Sequence, residues 1–339
     1  MIDVRNLTRK TVTAVLLAAA AAIYGSTVYI VEIGGIDTNK YFYDFTYYRD
    51  EVSKPYVMMR EAIEAAGYKV QFTRDGSNIS RDVAAVISFN EVSRDFLRNL
   101  IPCPNYKRLL FLTEPPVVMP QIYDSKLSCQ FGKIFTMFDD LAGKANYHKL
   151  HFAMPRLAVA DPIPDFSEKK FCLLINGNKD FGHPKSLYGE RRNAIRFFTD
   201  KGEFDLYGPG WDGYPAWKGY VTSKWETLKN YKFCICYENM KDQLGYMTEK
   251  LFDCLIGGCV PVYWGASNVA DYVPRECFID ARDFAAYEDL YEYMRLMDRE
   301  TYEGYLAAAR RYLASEQAQL FSSENFVALV LDAIKAVNP

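Results

Sequence analysis

The chain has 339 residues, half of them hydrophobic, with 26 tyrosines and 22 phenylalanines, enough to fill more than one core and comfortable for two domains. Its 40 Lys and Arg against 43 Asp and Glu leave a formal net charge of −3, which removes any general electrostatic reason to bind nucleic acid. The 8 cysteines form no C-x-x-C pair, and of the 3 histidines (His148, His151 and His183) the His148-x-x-His151 pair has no third ligand nearby and reads as a plain surface pair, so reduced buried thiols, a reducing compartment and no metal are expected.

Residues 1–10 carry Arg5, Arg9 and Lys10, and 11–23 form an uncharged, alanine-rich run. That run is shorter than the roughly 20 residues needed to span a bilayer. Extending it would consume the strand at 27–33, so 1–26 reads as an N-terminal extension, with peripheral membrane contact and export as alternatives. The expected location is the cytoplasm. The loop 41–50 is aromatic and charged, which suits sugar stacking on an acceptor side, or simply rings packed beneath a loop.

A helix at 55–66 ends at Gly67, and strands follow at 69–72, 83–89 and 108–112, with a helix at 93–100. Alternating strands and helices argue for a parallel sheet. At the carboxyl end of the strand 108–112 stands Thr113-Glu114-Pro115-Pro116, a lone glutamate held by two prolines where open α/β sheets place ligands. After a strand at 134–138, the prolines between 154 and 165 mark a domain boundary, dividing 27–160 from 161–339.

The second half opens with a strand at 170–175, the turn Asn176-Gly177-Asn178, a helix at 190–199 and a strand at 204–207. The stretch 231–265 then reads as strand, polar loop, amphipathic helix and strand, with Gly257-Gly258 ending the helix. Pro261 suggests an edge or a strand end. The loop and helix start concentrate Glu238, Asn239, Tyr246, Thr248, Glu249 and Lys250. A lysine in a first helical turn opposes the helix dipole, a conflict that a bound diphosphate would resolve; a solvated first turn is the plainer alternative. Helices at 287–297, 302–316 and 322–337 complete the chain.

This stretch resembles the signature of the α1,3/4-fucosyltransferases, glycosyltransferase family 10. The family's Phe-Glu-Asn-Ser, Tyr-Val-Thr-Glu-Lys and Val-Pro-Val-aromatic blocks stand here as Tyr237-Glu238-Asn239-Met240, Tyr246-Met247-Thr248-Glu249-Lys250 and Val260-Pro261-Val262-Tyr263. Met240 departs from the family by replacing a hydroxyl. The resemblance implies an α/β fold of GT-B type, two Rossmann-like domains facing a cleft. It also implies GDP-L-fucose as donor, a glycan containing N-acetylglucosamine or a related sugar as acceptor, inversion by single displacement, and no required cofactor. Glu114 is implied as the catalytic base, although the family's glycine in that turn is missing. Arg192, with Arg191 as its rival, aligns with a diphosphate-binding arginine, and Lys218 and Lys224 are further phosphate candidates. Glu238, Asn239, Tyr246, Thr248, Glu249 and Lys250 would form the donor pocket. A same-fold enzyme using another GDP-sugar, or a silent carbohydrate-binding relative, is the alternative.

Overall fold

The computed structural model describes residues 26–338; the basic and apolar segment discussed above lies outside them. The first half forms β1 (Thr27–Val31), β2 (Lys69–Thr73), β3 (Val83–Phe89), β4 (Arg108–Leu112), β5 (Lys133–Thr136) and β6 (Tyr147–Lys149). These pair in the order β2-β1-β3-β4-β5-β6, parallel throughout. Every residue of β1, β3 and β4 is buried, which is why these strands read as continuous apolar runs rather than alternations. One crossover helix is α1 (Lys54–Ala65), whose Met59 and Ile63 join the core of the first sheet. Another is α2 (Arg94–Asn99), capped by the Ser93 side chain.

The second half forms β7 (Lys170–Ile175), β8 (Phe204–Tyr207), β9 (Tyr231–Tyr237), β10 (Val260–Trp264) and β11 (Ile279–Asp280), again all parallel, in the order β11-β10-β9-β7-β8. Between these strands run α3 (Tyr188–Lys201), α4 (Lys224–Leu228) and α5 (Glu249–Ile256), followed by α6 (Tyr287–Leu296), α7 (Arg299–Leu313) and α8 (Ser323–Ala336). Pro261 lies within β10, but β11 pairs only with Val262 and Tyr263, so the missing N–H falls beyond the short neighbour.

The last helix does not stay with the second sheet. Phe326, Val330, Ala333 and Ile334 join Met59, Ile63 and other residues in the core of the first sheet, and Asn338 Nδ2 donates to Ala84 O at 3.0 Å. The two crossings between the halves run together: Met154 N donates to Phe321 O at 2.7 Å and Ser323 Oγ to Met154 O at 2.9 Å. Two parallel sheets therefore turn their carboxyl ends toward one cleft. Among the described residues no helix is long and apolar enough to cross a membrane.

Candidate active site

The wall contributed by the second half is a network of charges at the start of α5. Glu238, which follows β9, is fully buried. Its Oε1 accepts from Thr248 N at 2.8 Å, its Oε2 accepts from Thr248 Oγ1 at 2.7 Å, and Lys250 Nζ lies 3.3 Å from Oε2. Glu238 thereby ties down the N-terminus of α5. Space for it depends on Gly265, where a Cβ would come within 2.6 Å of Glu238 Cγ.

Glu249 Oε1 lies 3.5 Å from Lys250 Nζ and 3.4 Å from Lys224 Nζ, and Lys224 Nζ is 2.7 Å from Asp253 Oδ2. Asp253 also accepts from Trp225 Nε1 at 2.8 Å. Burial opposes the charge on Glu249, but Lys250 and Lys224 outweigh it and hold its carboxyl well below the usual range. Burial likewise opposes the charge on both lysines, and their carboxylate neighbours raise their pKa nonetheless. For Asp253 burial wins and its pKa is raised.

The opposite wall carries Glu114 immediately after β4. Its backbone is fixed by Asn90, whose Oδ1 accepts from Thr113 N at 2.8 Å and Glu114 N at 3.3 Å, and by Tyr123 OH, which donates to Glu114 O at 2.9 Å. Asn90 itself has φ +60° at the end of β3. Burial pushes the Glu114 carboxyl upward, with Lys250 pulling it back and Glu249 adding to the rise. Glu114, Lys224, Glu249 and Asp253 line a single cleft of about 430 Å³. Lys224 and Asp253 also border an adjoining void of about 30 Å³ shared with Lys250, Asn176 and Tyr237.

Two N-terminal carboxylates clasp the other half beside this cleft. Asp50, at φ +55°, accepts from Ser223 Oγ and from Lys224 N, the latter at 2.7 Å. Asp139 accepts from Lys149 Nζ at 2.5 Å, Asn268 Nδ2 at 2.9 Å and Tyr272 OH at 2.7 Å. Asn268 Oδ1 accepts in turn from Gly245 N at 2.8 Å, fixing the loop before Tyr246.

Of the residues expected from sequence, Glu114, Glu249 and Lys224 meet in the cleft, with Lys250 just behind. Glu238, Tyr246 and Thr248 are 0%, 0% and 4% exposed, so they shape the pocket from beneath rather than touch a ligand. Met240 shares an apolar cluster with Val117, Phe138 and Tyr246, a setting in which a thioether packs better than a hydroxyl.

The two rival arginines point different ways. Arg191 shares the buried face of α3 with Ala194, Ile195 and Phe198, at the i, i+3, i+4, i+7 spacing. Its Nη2 donates to Tyr237 O at 2.6 Å and Asn239 Oδ1 at 2.9 Å, and its Nη1 to Asn176 Oδ1 at 3.2 Å, so it spans the ends of β7 and β9. Arg192 turns outward to Lys179 O and Asp180. Lys218 is also elsewhere, 3.5 Å from Asp205 beside β8. Sequence reasoning missed Asp253, although it lies four residues after Glu249 on the same helical face. It also missed Asn90 and Asp50, whose roles depend on left-handed backbone and on contacts across the chain. Among the described residues no group of three or more His, Cys, Asp or Glu side chains could hold a metal ion.

Residues 181–330 match the model of the glycosyltransferase family 10 (fucosyltransferase) C-terminal region. An α-(1,3)-fucosyltransferase of Helicobacter pylori is 37% identical over 78 residues, 23% of this chain and 16% of its own length. The 4-galactosyl-N-acetylglucosaminide 3-α-L-fucosyltransferase 9 of Rattus norvegicus is 31% identical over 235 residues, 67% of this chain and 60% of its own. The matched part thus spans about a sixth of the first relative and under two thirds of the second. An α1,3-fucosyltransferase solved with GDP-fucose superposes with a TM-score of 0.52 at 16% identity, over 92% of this chain and 90% of that one, a likeness of fold. The two facing sheets are the GT-B arrangement, and residues 181–330 carry the C-terminal region characteristic of glycosyltransferase family 10.

Proposed function

We propose that the chain transfers L-fucose from GDP-L-fucose to a hydroxyl of an N-acetylglucosamine-containing glycan, in α1,3 or α1,4 linkage, with inversion at the anomeric carbon. The observation that carries this reading is the single cleft with Glu114 on one wall and Glu249, Lys224 and Asp253 on the other. In one displacement the acceptor oxygen bonds to the anomeric carbon as the bond to GDP breaks. Glu114 takes the hydroxyl proton; a carboxyl raised by burial is a stronger base than an exposed one.

The departing diphosphate needs positive charge, which Lys250, Lys224 and the N-terminus of α5 supply. Arg191, 1% exposed and without an ion pair among the described residues, adds its field through the asparagines that it orients. Glu249 accepts hydrogen bonds from donor hydroxyls. With side chains doing the neutralising, the reaction as proposed requires no metal or other cofactor. A reducing cytoplasmic setting is part of the proposal and is supported by all eight cysteines being unpaired.

Incubation with GDP-fucose and N-acetyllactosamine should release GDP and give an α-fucosylated product, followed by NMR of the new anomeric proton. Thermal stabilisation by another GDP-sugar, with none by GDP-fucose, would overturn the choice of donor.

A further inference from the structure

Away from its charged side, the cleft is mostly apolar, bounded by Ile33, Ile36, Val52, Phe89, Leu150 and Phe326. Most polar side chains that interrupt this wall already have partners. Asn90 and Thr113 bond each other, Asp50 holds Ser223 and Lys224, and Arg49 Nη1 donates to Val221 O at 3.2 Å. The rings of Tyr41 and Tyr56 pack against each other, with centroids 4.9 Å apart. On this wall, among the described residues, the Glu114 carboxylate and the His151 imidazole make no side-chain hydrogen bond.

His151 is nevertheless held firmly. Its ring meets Tyr272 and Phe321 edge to face, with centroids 5.7 Å and 5.0 Å away. Burial and nearby Lys149 push its pKa down to about 4 against the pull of Asp139, so near neutral pH the ring carries one N–H donor and one acceptor nitrogen. A fixed, neutral donor and acceptor in an apolar cavity suits a sugar hydroxyl, while Phe152 and Trp225, which line the same cleft, suit a sugar's C–H face.

We propose that His151 is a specificity-determining contact for the acceptor, hydrogen-bonding one hydroxyl of the acceptor sugar while Glu114 takes the proton of another. The proposal rests on the fucosyl-transfer reading for the identity of the sugar, but not for the contact itself.

Because the chain has only three histidines, the His151 ring proton can be assigned by its loss in His151→Gln. Adding N-acetyllactosamine to the GDP-loaded protein should move that resonance and leave those of His148 and His183 in place. His151→Phe keeps the ring contacts and should raise the acceptor KM about tenfold, the worth of one hydrogen bond, with the GDP dissociation constant unchanged. His151→Gln, which retains a donor and an acceptor, should recover most of the loss. An unmoved resonance overturns the proposal, as does a GDP dissociation constant that rises in step with the acceptor KM. If the resonance moves but no fucose is transferred, the contact stands and the transfer reading falls. If neither occurs, both fall.

Discussion

On the C-terminal wall of the cleft buried and half-buried acids meet bases: Glu238 meets Lys250, Glu249 meets Lys250 and Lys224, and Asp253 meets Lys224. On the N-terminal wall Glu114 stands among apolar residues and makes no ion pair among the described residues. The contrast follows from what each wall is proposed to do. A paired network keeps its geometry while a diphosphate arrives and leaves, whereas a base must remain free to take a proton. Pairing Glu114 would depress its pKa and weaken it as a base.

The contrast can be broken most sharply at Glu114. Glu114→Gln should reduce fucosyl transfer about 10²–10⁴-fold, while calorimetry finds GDP affinity unchanged because GDP would bind the other wall. An equal loss of GDP affinity would show that the walls do not divide the work. In the parent protein kcat/KM should fall as pH drops through the raised Glu114 pKa, at a higher pH than for an unburied carboxyl.

The two glutamates should also part company in stability. Glu238→Ala leaves the Thr248 N–H and Lys250 without their buried partner and should cost about 3–5 kcal/mol in urea denaturation. Glu114→Ala, which strands no partner, should cost little or stabilise the fold. If both cost the same, Glu114 has a structural role that its surroundings do not reveal.

Lys224 probes the paired wall from the side of the ligand. Lys224→Met should weaken GDP binding about tenfold, as one charge-assisted contact would, with a smaller effect on the acceptor KM. The smallest effect belongs to a buried cation outside the cleft. Lys169 Nζ donates to Gly258 O at 2.6 Å, and burial pushes its pKa down to about 8. Between there and the ordinary lysine value the unfolded chain holds a proton that the folded chain has lost, so stability gains a component that rises with pH. Lys169→Met should remove that component, read as a flatter difference in denaturation midpoint across this window.

Much of the fold was legible because its strands are buried on both faces. Those at 83–89, 108–112 and 231–237 have the bounds that their apolar runs suggest, and the less completely buried strands at 170–175 and 204–207 also keep the expected bounds. The elements that escaped carry little local signal: β6 is a half-buried Tyr-His-Lys, β11 is two residues long, and α4 is little more than one turn. The site was legible where chemistry is local, as from Glu238 to Lys250. It was not where the partner comes from across the cleft, as with Asp50, or where two adjacent arginines differ only in helical phase. That phase was present in the spacing of Arg191, Ala194, Ile195 and Phe198. Motif alignment pointed to Arg192, whereas burial favours Arg191.

The crossing of α8 has a consequence for synthesis. The first sheet leaves the ribosome early, but Phe326, Val330 and Ile334, which complete its core, come after every strand of both sheets in chain order. The clusters that fill the second domain draw on no residue of α8 and can close without it. The half made first should therefore finish folding last, and a nascent chain arrested just before α8 should present a settled second domain beside an N-terminal sheet with one side of its core open.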